Sequence, residues 1–126
     1  MSVVMDTNAL MMPVECDCRV FEELDRLLGA PDCVVPRAVV DELDKLAAGG
    51  GEEATAASVG RDLADRCRVV DHEADYADDA VVECAVSDDD VTHAVTNDAP
   101  LRDRLLDANV PVISLRGETK LAVTQP

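Results

Sequence analysis

The sequence predicts an α/β domain, with about five strands in a mostly parallel sheet and helices on both faces. Three observations predict it. The chain has 126 residues, the length of one domain, so residues 1–126 are read as a single unit. Short apolar runs of strand length alternate with stretches whose apolar residues recur at helical spacing. Glycine and proline fall between these stretches, and no internal repeat interrupts the alternation. Strands that alternate with helices form parallel sheets covered on both faces, and right-handed crossovers then bring every strand's carboxyl end to one edge. In open sheets of this kind ligands bind at that edge.

The elements follow in order. Val3-Val4-Met5 is an apolar run that stops at Asp6 and reads as a buried strand. Phe21, Leu24, Leu27 and Leu28 mark a helix that Gly29 ends. Cys33-Val34-Val35 is a second strand. Pro36 suits the first turn of the helix carrying Val39, Val40, Leu43, Leu46 and Ala47, which Gly49-Gly50-Gly51 breaks. Glu52 to Asp65 is Ala-rich and helical, with acids at its start where the helix dipole favours them. Cys67 to Val70 is a third strand and Ala77 to Ser87 a helix. Val91 to Thr96 is a fourth strand carrying His93, Pro100 to Ala108 a helix, and Val110 to Leu115 a fifth strand. The tail from Glu118 is read as one more short element or a frayed end.

Composition sets the classes to exclude. Asp and Glu number 27 against 11 Lys and Arg, a formal charge of −16, yet 48% of the residues are hydrophobic, so the chain can collapse around a core. No apolar run approaches the ~20 residues of a bilayer span. The opening Met-Ser-Val-Val-Met-Asp lacks the basic region of a signal peptide. Such acidity ordinarily opposes nucleic-acid binding. Here lysine occurs only at Lys45 and Lys120, and Ala and Val fill much of the apolar quota, a balance that resembles proteins of salt-in halophiles. The Debye length there falls to about 3 Å and surface repulsion is screened. A halophilic cytosol is the resulting expectation. The five cysteines have no metal-binding spacing and are expected as reduced thiols, with Cys33, Cys67 and Cys84 as small core residues.

Most of the acids must be solvated surface, so the informative ones fall where a surface acid would not. Asp6 follows the first strand and Asp98 the fourth, both at the ligand edge. Glu42 borders an apolar helix stripe, with Val39 three residues before it and Leu46 four after. Asp79 shares a helix side with Val82 and Val86. Each acid could instead cap a helix or face water. Four carboxylates converging at one edge need a counter-charge. All-oxygen ligation selects Mg²⁺ or Mn²⁺.

These residues resemble the motifs of a known family. Val4-Met5-Asp6-Thr7-Asn8-Ala9-Leu10 is similar to the opening motif of PIN-domain ribonucleases. Val34-Val35-Pro36-Arg37-Ala38-Val39-Val40-Asp41-Glu42-Leu43 resembles their second motif, and Ala77-Asp78-Asp79-Ala80-Val81-Val82-Glu83-Cys84-Ala85 their third. Val95-Thr96-Asn97-Asp98-Ala99-Pro100-Leu101-Arg102 with Val110-Pro111-Val112-Ile113 resembles the fourth. The resemblance runs over nearly the whole chain in the family's order. It implies that Asp6, Glu42, Asp79 and Asp98 are catalytic and bind Mg²⁺ or Mn²⁺, with Asn8 and Thr96 supporting them. Either of Asp78 and Asp79 could be the ligand; Asp79 is preferred because a small residue and then apolar ones follow it. The Met11-Met12-Pro13-Val14 stretch and the Tyr76-Ala77-Asp78-Asp79 stretch resemble the archaeal branch related to small-subunit rRNA-processing PIN proteins more than the VapC-type toxins. His93 departs from the family's apolar position and is read as a packed residue; His72 lies in a loop and carries no signal.

The implied activity is a metal-dependent endoribonuclease acting on RNA in rRNA processing, with 5′-phosphate and 3′-hydroxyl products. Arg102, Arg104 and Arg116 are candidate phosphate contacts. With only Phe21 and Tyr76 as aromatics, no base-stacking platform is available. The alternatives are a VapC-type toxin with an antitoxin partner and a non-catalytic PIN module in ribosome assembly. A haloacid-dehalogenase-type phosphatase would share Asp6-Thr7 and Asp78-Asp79, but has Asn8 where its second acid belongs. A response-regulator receiver would need paired acids after the first strand. A homodimer is compatible with the resemblance.

Overall fold

The computed structural model describes residues 1–126 and places one six-stranded sheet at the centre of the chain. The elements in chain order are β1 (Ser2–Met5), α1 (Thr7–Glu15), α2 (Val20–Leu28), β2 (Asp32–Pro36), α3 (Arg37–Ala47) and α4 (Gly51–Ala64). They continue with β3 (Arg68–Val70), α5 (Ala77–Ser87), β4 (Val91–Val95), α6 (Ala99–Asp107), β5 (Val112–Arg116) and β6 (Lys120–Thr124). The strands lie in the order β3-β2-β1-β4-β5-β6, all parallel except β6, which runs antiparallel to β5. The α/β reading and the mostly parallel sheet hold, with six strands in place of about five. The extra strand is the tail, which pairs Arg116 with Lys120 and Val112 with Thr124 across the turn at Gly117.

β1 is the innermost strand. Val3, Val4 and Met5 are fully buried, as the continuous apolar run requires between two parallel neighbours. Crossovers toward β3 and toward β6 run in opposite directions, and right-handedness places their helices on opposite faces. The packing agrees: α1 lies against α3 and α4, and α5 against α6. α3 also meets α5, which brings the acid-bearing parts of both helices near one another.

Helix α1 is the element that the sequence reading did not assign. Its residues are TNALMMPVE; Thr7, Ala9, Leu10, Met11 and Met12 are all buried, so its only polar residues besides Thr7 are Asn8 and Glu15, and Pro13 lies within it. What signals it is the cap: Asp6 accepts the backbone N–H of Ala9 at 2.7 Å. α4 crosses α1 closely at Gly60, where a Cβ would sit 2.8 Å from the Leu10 carbonyl oxygen. Glycine at 60 is therefore a packing requirement, and it keeps Glu53 of α4 beside α1.

The thiol expectation is corrected at one pair. Cys33 and Cys67 form a disulfide with a Cα separation of 4.8 Å, because the β2–β3 register that pairs Val34 with Arg68 sets the preceding residues side by side. Cys16, Cys18 and Cys84 remain free, and Cys84 is buried as expected of a small core residue. His72 gains a task. Its Nε2 accepts the Ala38 N–H at 2.9 Å, so its Nδ1–H donates to the Ala74 carbonyl at 2.8 Å, and the ring caps the start of α3. His93 is a half-buried strand residue beside the Thr92 hydroxyl, and burial lowers its pKa.

Candidate active site

The site is assembled where β1 and β4 end. Asp6 leaves β1 with its own N–H on the Val95 carbonyl, and its carboxyl is 3% exposed. One oxygen accepts from Ala9 N–H and the other from the Thr96 hydroxyl. Thr96, fully buried, uses its hydroxyl twice, since the same oxygen accepts Asp98 N–H at 3.0 Å. One threonine thus fixes Asp6 and the backbone of Asp98 together. Asn8 Oδ1 accepts Asn97 N–H at 3.0 Å, and Asn97 Oδ1 accepts Leu115 N–H at 2.9 Å. The turns after β1 and β4 are in this way tied to each other and to β5.

Around them is a hollow of about 240 Å³ whose polar lining is dominated by six carboxylates: Asp6, Glu15, Glu42, Glu53, Asp78 and Asp98. Thr7, Asn8, Met11 and Leu46 complete it, and no cation lines it. Four larger hollows lie elsewhere, and one of them gathers Asp71, Glu73 and Glu83 past the end of β3, but none contains the acids that follow β1 and β4. The electrostatic strain is visible in the protonation equilibria. Burial first, and then the charges of Asp78 and Asp98, push Asp6 up to about 7 against the pull of its two hydrogen bonds. Asp78 is raised by its desolvation and by Asp98 and Glu42, with Arg104 opposing.

Of the acids singled out in the sequence, Asp6, Glu42 and Asp98 line this hollow. In the Asp78-Asp79 pair it is Asp78 that lines it. Asp79, one residue and about 100° further round the helix, holds the Arg104 guanidinium at 2.8 Å outside the hollow. Glu15 and Glu53 were not anticipated; they depend on α1 and on its crossing with α4.

The donor set can be tested for a cation. Every candidate ligand is a hard oxygen, as Mg²⁺ and Mn²⁺ require. Thr7 lines the same hollow, and its buried Oγ1 has no hydrogen-bond partner, an orphan polar atom at the rim of the acid cluster. No three ligand groups are already drawn to coordination distance of one point. The residues fit a divalent cation in chemistry.

Comparison with known proteins bears on this geometry. A family profile described as a PIN like domain matches residues 3–118. Ribonuclease VapC4 of Methanocaldococcus jannaschii is 29% identical over 118 residues, covering 90% of this chain and 89% of that protein. The solved structure of the PIN domain endonuclease Utp24 superposes with a TM-score of 0.79 at 26% identity, over 99% of this chain and 92% of that one. VapBC2 from Rickettsia felis, solved bound to a DNA fragment from its promoter, superposes with a TM-score of 0.66 over 92% of this chain and 100% of that one; at 12% identity it shows the fold alone.

Proposed function

The chain belongs to the PIN-like domain family, and from that premise we propose that it is an endoribonuclease using Mg²⁺ or Mn²⁺ to hydrolyse RNA phosphodiester bonds. The observation that carries the reading is the hollow of oxygen donors around the buried Asp6, with the orphan Thr7 hydroxyl beside it. The names borne by Ribonuclease VapC4 and by the endonuclease Utp24 support it.

Asp6, Glu42, Asp78 and Asp98 would hold the cation. Asp78 takes the place first given to Asp79, because Asp79 is committed to Arg104. A bound divalent cation supplies the positive charge and Lewis acidity that make water a nucleophile at neutral pH. The chain's own residues prepare for it. Ala9 N–H and the Thr96 hydroxyl fix both oxygens of Asp6, so losing its proton turns a neutral acid into an oriented ligand without rearrangement. Asn8 holds the start of α1 against Asn97, which keeps Asp6 and Asp98 at a constant separation. Water attacks phosphorus in line with the leaving 3′-oxygen and leaves a 5′-phosphate and a 3′-hydroxyl. Among the arginines first considered, Arg104 is engaged by Asp79, Arg102 stands 3.8 Å from Asp103, and Arg116 has no ion pair. Arg116 is therefore the strongest phosphate contact of the three.

The cellular role is RNA maturation, on the resemblance to the rRNA-processing branch. A second reading, a toxin ribonuclease with an antitoxin partner, draws support from the identity with Ribonuclease VapC4. The acidic surface fits work in concentrated KCl. The test is to incubate the protein with Mn²⁺ and ribosomal RNA in concentrated KCl beside Asp6→Asn and Asp98→Asn. Cleavage leaving 5′-phosphates, abolished in both variants, is expected. No cleavage, or equal cleavage by all three, sinks the proposal, and release of phosphate from a small phosphomonoester supports the phosphatase alternative.

A further inference from the structure

Six of the eleven cations of the chain are held in ion pairs: Arg19, Arg26, Arg61, Arg102, Arg104 and Lys120. In a chain with 27 acids, a guanidinium that escapes pairing is informative. Of the arginines that do, Arg66 covers the Phe21 ring and shares a hollow with Arg68 at the start of β3, the opposite sheet edge from the acids. The other two are Arg37 and Arg116, both exposed, and both stand at the edge where the acids converge.

The strand registers place them. Val4 pairs with Val34 and Met5 with Val95, and Val95 pairs with Ile113. Counting onward, Asp6 is level with Pro36, Thr96 and Ser114. Arg37 then opens α3 directly after β2, one residue past that level, and Arg116 ends β5 two residues past it. Across the edge the order is Arg37, Asp6, Asp98, Arg116. The carboxylates follow the middle two strands, while one free arginine directly follows β2 and the other ends β5. From β2 to β5 is three strand spacings, about 14 Å at about 4.8 Å each.

We infer that an RNA backbone crosses this edge perpendicular to the strands, with Arg37 and Arg116 holding phosphates on opposite sides of the phosphate that is cut. The inference rests on the nuclease reading and adds to it a path and a binding residue, Arg37, which lies within the second motif but was given no role by the resemblance. The arrangement answers an electrostatic difficulty: an acidic hollow repels a polyanion, and two unpaired guanidinium groups, each able to grip a phosphate bidentately, offset that repulsion on both flanks. It also makes the enzyme internal in its action, since a chain end over the carboxylates reaches only one of the two arginines. Arg37 and Arg116 are positioning residues; neither belongs to the carboxylate centre.

The experiment uses the intact protein with Mn²⁺, a short single-stranded oligoribonucleotide of mixed sequence, and the variants Arg37→Gln, Arg116→Gln and, as the opposite-edge control, Arg66→Gln. Arg37→Gln and Arg116→Gln should each raise KM about tenfold and leave kcat unchanged within about twofold. Each should also reduce the slope of log binding constant against log KCl by about 0.7, the loss of one phosphate contact on a single strand. Arg66→Gln should match the parent in both. An active parent whose Arg37→Gln variant keeps the parental KM and salt slope overturns this inference and leaves the nuclease reading standing. A fall in kcat alone overturns it too. A parent that neither binds nor cleaves the RNA overturns the nuclease reading, and this one with it.

Discussion

Two carboxylates out of 27 are buried, Asp6 and Glu23, and they titrate in opposite directions. Glu23 is held down to about 2. Arg26 grips it at 2.8 and 3.2 Å, Leu121 N–H donates to it at 2.9 Å, and Lys120 stands 3.7 Å away. Its charge is fully answered within the chain. The same arginine donates to the Leu121 carbonyl, so the Glu23–Arg26 pair satisfies both backbone groups of Leu121 on the outer side of β6 and blunts an open sheet edge. Asp6 has only two neutral donors, its charged neighbours are acids, and it rises to about 7. The buried acid whose counter-charge is built in is structural. The one whose counter-charge is missing marks the place where a cation from outside would complete the fold.

That contrast can be pressed hardest through pH. In metal-free protein Asp6 keeps its proton up to about 7, while in the unfolded chain it loses it near 3.8. The folded state binds the extra proton between those values, so the Asp6 contribution to stability is full below pH 3.8 and falls as pH rises toward 7. The loss is about 4 kcal/mol from a shift of this size. Urea unfolding in EDTA at fixed ionic strength should show this decline, and Asp6→Asn should remove it. Glu23 has the reverse sign: its contribution is present above pH 4.5 and is lost as pH falls toward 2, so it belongs to acid unfolding.

Substitution separates the two next. Glu23→Gln should cost about 2 kcal/mol, the worth of charged hydrogen bonds to a buried acceptor, while RNA cleavage by the folded variant proceeds at the parental rate. A Glu23→Gln protein that is stable but inactive would break the comparison. The smallest effect is at Lys120, 70% exposed, whose replacement by Ala should cost less than about 0.5 kcal/mol in the same urea titration.

How much of this could be read in the sequence depends on what each feature requires. The alternating strands and helices, and the placing of Asp6 and Asp98 at one edge, follow from periodicity and crossover handedness and needed no coordinates; Glu42 entered through its place beside an apolar stripe and through the family resemblance. The Asp78-Asp79 ambiguity did need them: neighbours on a helix differ by about 100° in direction, and only the position of Arg104, 25 residues further on, shows which side Asp79 takes. α1 escaped because five of its nine residues are buried and Pro13 interrupts it, leaving no apolar stripe at helical spacing, and Glu15 and Glu53 escaped with it. Glu23 reads as an ordinary acid in the first turn of a helix until β6 folds over it. The Cys33–Cys67 bond joins residues 34 apart, and nothing short of the β2–β3 register pairs them.

That bond has a bearing on the exposed Gly49-Gly50-Gly51 link between α3 and α4. Cys33 precedes the link and Cys67 follows it. A protease that cuts within the three glycines would make two peptides that migrate as one on a non-reducing gel and as two after thiol treatment. Glu42 would lie on the first peptide and Asp78 and Asp98 on the second, so the clipped protein would keep its acids on separate chains joined by sulfur.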